Sequence, residues 1–382
     1  MFGTRPFFLI ETQQSFDDLI PSLQVQPIIG VDLEGNSLHA FKEKISLIQV
    51  SSYDADYIID PIQVKDIQGF LDILGDPKVL KVMHGCDFDV VSFKRDYQQH
   101  IVNLFDTLIA ARFLHYENLG LASLLDQHFG IEIDKKYQKH DWGARPLYQE
   151  HLDYARGDTH WLIALYELLA RKLKRVGLYQ ASIEESQLLT LKEWVSGPAY
   201  ARSKGFSRLE PLQQKWYRAL WELRDEYAQE RDVPCFKVLA NQYILAVVSE
   251  SKDGKALAAR LAKGPFSFKK INFEHFIEEA EKDSRLIELP KRKQKSKPLH
   301  IEPVLAALKL WRNSKVEQEG VDPMVVLSNE QLRNLSRYVP QTMAELKKVP
   351  TIRKWQCRIY GETLIQIVQE SLPAHYKKRS VT

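Results

Sequence analysis

Two carboxylates stand one residue apart at the end of an apolar run, where Pro27-Ile28-Ile29-Gly30-Val31 leads into Asp32-Leu33-Glu34. On a strand the period of two puts both acids on one face. Like charges at that range raise each other's pKa or call for a cation, so the pair is costly unless it binds metal or water screens it. A solvated strand end is the competing reading. Further along, His84-Gly85-Cys86-Asp87-Phe88-Asp89 follows an apolar run ending at Met83. That order makes Asp87 an N-cap and puts Asp89 in the first turn of a helix, where the dipole favours an anion; two ordinary helix-start acids would look the same. The third segment, Tyr154-Ala155-Arg156-Gly157-Asp158, reads as helix. Residues four apart share a helix face, so a phenol and a carboxylate lie side by side, in a structural contact or in a site. Gly157 costs that helix about 1 kcal/mol relative to alanine, which points to close packing or to close approach of a ligand.

The elements that must position these residues follow from periodicity. Strand-like runs open the chain at Phe7 to Ile10, Ile28 to Leu33, Ile45 to Ser51 and Tyr57 to Asp60, three of them in a succession that predicts an antiparallel meander. After Pro61 the spacing of Ile67, Phe70, Leu71 and Leu74 predicts a helix, followed by a strand at Val79 to Met83, a helix from about Asp87 and an extended Asn103-Leu104-Phe105. From Thr107 to Leu173 the pattern reads as almost wholly helical, including one long run from Leu152 to Leu173. A meander, then strand–helix alternation, then helices is the arrangement of ribonuclease H-like α/β nucleases, a mixed sheet flanked by helices, which the pattern alone leaves as one candidate among several.

With 382 residues, 44% hydrophobic and 27% charged, the chain is long enough for two or three domains with sizeable cores. A net charge of +3 permits a polyanionic partner without demanding one. Three separated cysteines, Cys86, Cys235 and Cys357, suggest neither a disulfide framework nor a zinc cluster and fit a reducing, cytoplasmic setting. The short apolar start, broken by Glu11, reads as a first strand and not as a signal peptide or membrane span.

Together Asp32, Glu34, Asp89 and Asp158 resemble the signature of the DEDD exonucleases. Tyr154, four residues before Asp158, matches the tyrosine branch, since the position used by the histidine branch is Asp153 here. The likeness extends to Ser37-Leu38-His39, Leu47-Ile48-Gln49, Asn103-Leu104-Phe105-Asp106-Thr107, Lys136-Tyr137-Gln138, Asp141-Trp142 and Arg145-Pro146-Leu147. Over residues 1–195 the chain is similar to ribonuclease D and to the exosome-associated 3′–5′ exonucleases. That resemblance implies hydrolysis with two divalent ions, Mg²⁺ or Mn²⁺, about 3.5–4 Å apart and held by hard oxygen donors. It implies that Asp32 bridges both ions, that Glu34 and Asp158 serve the ion that activates water, that Asp89 serves the leaving-group side partly through water, and that Tyr154 orients the attacking water. Leu33, His84, Lys135 and Lys136 are carried over as substrate contacts; His84 reads equally as satisfying a backbone group, and the lysines as a solvated loop. Trp142 and Arg145 read as a buried indole and an arginine holding the loop. Two departures stand out, Ser92 where exosome-associated members carry an aromatic residue and Gly143 where they carry an arginine, so base stacking and loop anchoring are expected to differ here.

The C-terminal half repeats itself at an offset of 88 residues, pairing Leu220 with Leu308, Arg224 with Arg312, Val233 with Val321, Val238 with Val326, Leu239 with Leu327 and Asn241 with Asn329. Leu212, Trp216, Leu220, Leu223 and Tyr227 form a helical stripe in the first copy. Both copies resemble HRDC domains, small all-α bundles. The expected organisation is an exonuclease domain at 1–195, HRDC units at 205–282 and 300–370, a basic linker at 283–299 and a tail at 371–382. The linker run Lys291-Arg292-Lys293-Gln294-Lys295 either tracks a phosphate backbone or keeps the chain solvated. The reading as a whole is a monomeric 3′–5′ exoribonuclease acting on single-stranded RNA 3′ ends and, through its HRDC units and linker, on structured RNA, with no membrane association. A DNA repair exonuclease and a non-catalytic nucleic-acid-binding scaffold are the alternatives.

Overall fold

A six-stranded mixed sheet carries the N-terminal half. The computed structural model describes residues 5–134, 136–194, 199–265, 271–285 and 301–373. The strands are β1 (Phe7–Ile10), β2 (Ile28–Gly35), β3 (Ile45–Ser51), β4 (Asp56–Ile59), β5 (Leu80–Met83) and β6 (Leu104–Asp106), in the spatial order β1-β4-β3-β2-β5-β6. β2, β3 and β4 form the expected antiparallel meander, whereas β1 joins β4, β5 joins β2 and β6 joins β5 in parallel. β3 is buried along its whole length, and its Ile45, Leu47, Ile48 and Val50 fit a strand covered on both faces.

Eight helices surround the sheet: α1 (Gln13–Gln24), α2 (Gln68–Gly75), α3 (Asp87–Tyr97), α4 (Thr107–Phe113), α5 (Leu121–Phe129), α6 (Gln149–His160), α7 (Leu162–Arg175) and α8 (Tyr179–Leu189). α1 buries Phe16, Leu19, Ile20 and Leu23, and the sequence reading had no helix there. The expectation of near-continuous helix from Thr107 to Leu173 needs correction at three points, the first between α4 and α5, where residues 114–120 form turns and irregular chain. α5 ends on Gly130 in the left-handed conformation, and the described residues of 130–148 form turns and irregular chain. The run Leu152 to Leu173 breaks at Trp161 into α6 and α7.

The break brings the chain hard against β2. A Cβ at Gly30 would lie 3.1 Å from the Thr159 carbonyl and 3.2 Å from Leu162 Cβ, so a larger residue would push the two elements apart by a few tenths of an ångström. α6 is also clamped to β4 by charge. Buried Asp56 receives the Arg156 guanidinium at 2.7 Å, His160 Nδ1 at 2.6 Å and Arg5 at 3.2 Å, while Ser51 and Thr159 pair at 2.8 Å. The His160 and Arg156 partners hold the Asp56 carboxyl below its usual range despite burial, so the clamp is ionic at neutral pH.

The C-terminal half is helical among the described residues. Short 3₁₀ turns at Ala199–Arg202 and Phe206–Arg208 precede α9 (Pro211–Glu230), α10 (Cys235–Val238), α11 (Asn241–Ser249), α12 (Gly254–Ala262) and α13 (Phe273–Lys282). The second copy consists of α14 (Glu302–Glu319), α15 (Pro323–Val326), α16 (Asn329–Tyr338), α17 (Met343–Leu346) and α18 (Lys354–Ser371). The offset read from the sequence is visible in the hydrogen bonds. Arg224 Nη1 reaches the Leu239 carbonyl and Asn241 Oδ1, and Arg312 Nη1 reaches the Leu327 carbonyl and Asn329 Oδ1. The run 291–295 and most of the expected tail lie outside the described residues. Among the described residues no helix is long and apolar enough to cross a membrane.

Candidate active site

The end of β2 sets the first two acids. Asp32 pairs with Gln49 and Glu34 with Leu47 of β3, so both acids point from the same face of the sheet, and the register shift between Glu34 and Gly35 ends the pairing beside them. α6, held by the Asp56 clamp, brings Tyr154 and Asp158 over that face. The two elements meet at a cleft of about 630 Å³ lined by Asp32, Leu33, Glu34, His84, Tyr154 and Asp158.

Asp89 arrives from α3. The turn before that helix uses Gly85 at φ +65°, and Cys86, not Asp87, is the cap residue. The expectation of Asp87 as N-cap is therefore wrong: no side chain caps this helix, and the Asp87 carboxylate lies over the α8 end, paired with Lys192. The turn is held by a residue whose role the sequence did not reveal. Asp106, at the end of β6, is buried and accepts from Gly85 N at 3.1 Å, Cys86 N at 2.9 Å, Leu108 N at 2.8 Å and Ile109 N at 3.1 Å. One carboxylate thus binds the starts of both α3 and α4 and fixes where Asp89 stands. Its signal was its place in Asn103-Leu104-Phe105-Asp106-Thr107 just after a strand, a position open to many roles.

Electrostatics tie the four acids into one group. Burial, then Asp89, Asp158 and Glu34, push Asp32 well above the usual carboxylate range. Burial, then Asp158 and Asp89, raise Glu34 to about 9. Asp89 is raised to about 7, chiefly by burial, with Asp106 and Asp87 adding to it, and Asp158 is raised to about 7 by burial. Burial and the same carboxylates push the Tyr154 phenol up, so it keeps its proton at any physiological pH. Four carboxylates this close are uncomfortable as anions, and an all-oxygen donor set is what a hard divalent cation needs. Among the described residues no three His, Cys, Asp or Glu side chains are drawn together closely enough to hold an ion as they stand, so the acids would have to close on one.

The remaining sequence candidates divide. Leu33 and His84 border the cleft, with His84 Nδ1 2.9 Å from Thr107 Oγ1 and the ring also in contact with the Leu119 backbone. His84 thus satisfies the backbone and presents an edge to the cleft. Lys136 is directed elsewhere, over the Tyr137 ring at 4.8 Å and near Glu150, in a neighbouring cavity. Lys135 lies outside the described residues. Among the described residues the lysine that lines the cleft is Lys139, which the sequence reading passed over. Trp142 is buried, and Arg145 ties its loop to Asp60 at 2.6 Å, to the Trp142 carbonyl at 2.8 Å and to the Ser46 carbonyl at 3.0 Å. That anchoring operates without an arginine at Gly143. Ser92 is fully buried and offers no surface for stacking.

Comparison with known proteins bears on both halves. The 3′–5′ exonuclease family matches residues 7–174, and the HRDC domain family matches residues 213–259 and 302–368. Protein RRP6-like 1 of Arabidopsis thaliana is 30% identical over 336 residues, covering 84% of this chain and 51% of that protein. Ribonuclease D of Haemophilus influenzae is 27% identical over 357 residues, covering 91% of this chain and 88% of that one. The chain spans about half or less of the Arabidopsis RRP6-like proteins it matches. Among solved structures, Escherichia coli RNase D superposes with a TM-score of 0.67 at 21% identity, over 95% of this chain and 99% of that one, which establishes the shared fold.

Proposed function

This chain carries a 3′–5′ exonuclease domain followed by HRDC domains and is a homologue of ribonuclease D and of RRP6-like proteins, and from that premise we propose that it is a metal-dependent 3′–5′ exoribonuclease that trims RNA 3′ ends and releases nucleoside 5′-monophosphates. The observation that carries the reading is that Asp32, Glu34, Asp158 and Tyr154 line one cleft, with Asp89 near enough to raise the Asp32 and Glu34 carboxyls. When bound, two divalent cations, Mg²⁺ or Mn²⁺, would supply a deprotonated water near neutral pH and offset charge on the phosphate. Asp32, which faces the other three acids, would be shared between them, with Glu34 and Asp158 on the water side and Asp89 on the leaving-group side. Because the Tyr154 phenol stays protonated, it serves by orienting the attacking water through a hydrogen bond, not as an ionised base. Leu33 and His84 would border the terminal nucleotide, and Lys139 would meet its backbone from the rim. The substrate is a single-stranded RNA 3′ end, the HRDC units and basic linker engage structured RNA, and the protein acts as a cytoplasmic monomer.

Labelled single-stranded RNA and DNA incubated with Mg²⁺, Mn²⁺ or EDTA test this directly. RNA should shorten from its 3′ end only with metal, and Asp32→Asn and Asp158→Asn should reduce hydrolysis to background while melting like the parent. An active Asp32→Asn protein overturns the shared role. Degradation of DNA alone moves the chain to DNA repair, and stable binding of RNA without cleavage makes it a scaffold.

A further inference from the structure

Behind Tyr154 lies a second cavity of about 470 Å³, within the range of small-molecule sites. One wall is a single face of α6, on which Tyr154, Gly157 and, just past the helix end, Trp161 lie at helical spacing. Ile131, Ile133 and the Tyr137 ring line the cavity as well. Tyr137 and Tyr154 meet edge to face, with ring centroids 5.9 Å apart.

Gly157 gives this cavity its significance. The sequence offered two reasons for a glycine in mid-helix, close packing or close approach of a ligand. The structure removes the first, because a Cβ at Gly157 would meet no atom within 4 Å. Nor does the backbone need it, since its φ is not among the positive ones. The glycine leaves bare backbone on a wall between aromatic side chains. Among the described residues the charged groups at the cavity are Asp134, Glu150, Asp153 and Lys136, and Lys136 is already engaged with Tyr137 and Glu150. An acidic rim rejects a phosphate and tolerates a neutral, flat ring. Ile133, Asp134 and Tyr154 line both this cavity and the cleft of the four acids, so one nucleotide can touch the two.

We propose that this cavity is a nucleobase site, taking the uncharged aromatic end of a nucleotide whose phosphate stays on the side of the carboxylate cleft. The ligand class rests on the exoribonuclease reading; its source is a base of the strand under degradation or the base of the released mononucleotide.

The test is calorimetric titration of the full chain in EDTA with adenosine and with adenosine 5′-monophosphate. Adenosine should bind saturably, and Gly157→Leu, which fills the cavity, should weaken it at least about tenfold. Gly157→Ala, which adds one methyl to open space, should weaken it less, and neither variant should lower the melting temperature, since both residues favour helix more than glycine does. If the strand supplies the base, Gly157→Leu raises KM for RNA. If the product supplies it, the same variant relieves inhibition by adenosine 5′-monophosphate. Absence of adenosine binding, or adenosine binding unchanged by Gly157→Leu, overturns the site, as does binding of the monophosphate alone. Because the titration contains no metal, adenosine binding by a chain that cleaves no RNA would sink the nuclease reading and leave the site standing.

Discussion

The two helical repeats share a hydrogen-bonding plan and differ in what they lean on. The first closes on itself: its apolar cluster, from Tyr200 to Ala280 and including Phe206, Trp216 and Tyr217, draws on no residue of the exonuclease domain. It meets that domain through a hydrogen bond, Phe41 N–H donating to Asp232 Oδ1 at 3.0 Å. The second repeat gives part of its core away. Trp355 and Val325 belong to a cluster built on Phe105, Phe113, Leu165 and Leu169 of the exonuclease domain, with the Trp355 and Phe113 rings edge to face at 5.2 Å. The start of α18 is fastened to α8 as well. Glu184 accepts from Lys354 N at 2.8 Å and Trp355 N at 3.2 Å, and Glu185 accepts from Trp355 Nε1 and Arg353 Nε, each at 3.0 Å. Duplication followed by unequal docking leaves one copy sharing a core with the exonuclease domain and the other with an apolar cluster of its own.

The largest effect expected from this contrast is that of Trp355→Ala. Removing a buried indole from a mixed core costs about 3–5 kcal/mol. Urea denaturation should show that loss, and hydrogen exchange should show why. In the parent, amides of α14 and α18 should exchange as slowly as those of β2 and β3, and in the variant they should exchange sooner while the first repeat is unchanged. A cost below about 1 kcal/mol would mean that the second repeat does not share the exonuclease core.

None of that docking was readable beforehand, and the reason is physical. Periodicity reports which side of an element is apolar but not what covers it, so Trp355 announced a core and not whose core. The strands β2, β3 and β4 were legible because burial with period two or in continuous runs leaves a dense apolar signal. α1 was not, because Phe16, Leu19, Ile20 and Leu23 are diluted by glutamines and serines and carry Pro21 among them. The four acids and Tyr154 were picked out by type, spacing and family resemblance; Asp32, Glu34, Asp158 and Tyr154 line one cleft, and Asp89 acts on Asp32 through its charge. Asp106 and Lys139 were missed as functional because their importance lies in what they reach across space: four backbone amides in one case, the cleft rim in the other.

A matched pair of substitutions sharpens the comparison at its common element. Arg224 and Arg312 make equivalent bonds, yet Arg224 is only 2% exposed, lies over the Trp221 ring at 3.8 Å and is paired with Asp225, whereas Arg312 is half-buried beside Asn313. Arg224→Ala leaves the Leu239 carbonyl without that partner and removes a buried guanidinium stacked on Trp221, so it should cost about 2 kcal/mol, against about 1 kcal/mol for Arg312→Ala. Denaturation of the two variants side by side decides it. Equal costs would mean that the fold needs the arginine only for the Leu239- and Leu327-type carbonyls and that the surrounding differences are idle.

The smallest effect is an acid one confined to the first repeat. Hydrogen bonds from Arg285, with Arg218 close by, hold the Asp283 carboxyl well below the usual carboxylate range. Eighty-eight residues on, the second repeat has Ser371, which does not titrate. A carboxyl with a lower pKa folded than unfolded adds stability that is complete above the unfolded value, near pH 4, and is lost as the pH falls through the folded value, because the unfolded chain takes up the proton first. The first repeat should therefore weaken below about pH 4, while Asp283→Asn removes that dependence and leaves the second repeat's acid response as it was. The pair is accessible to water and salt, so the slope should shrink further at high ionic strength. Residue-resolved hydrogen exchange between pH 5 and pH 3, in about 0.05 M and 0.5 M salt, measures both. A parent and variant with the same acid slope would show that Asp283 is no more ionised in the folded repeat than out of it.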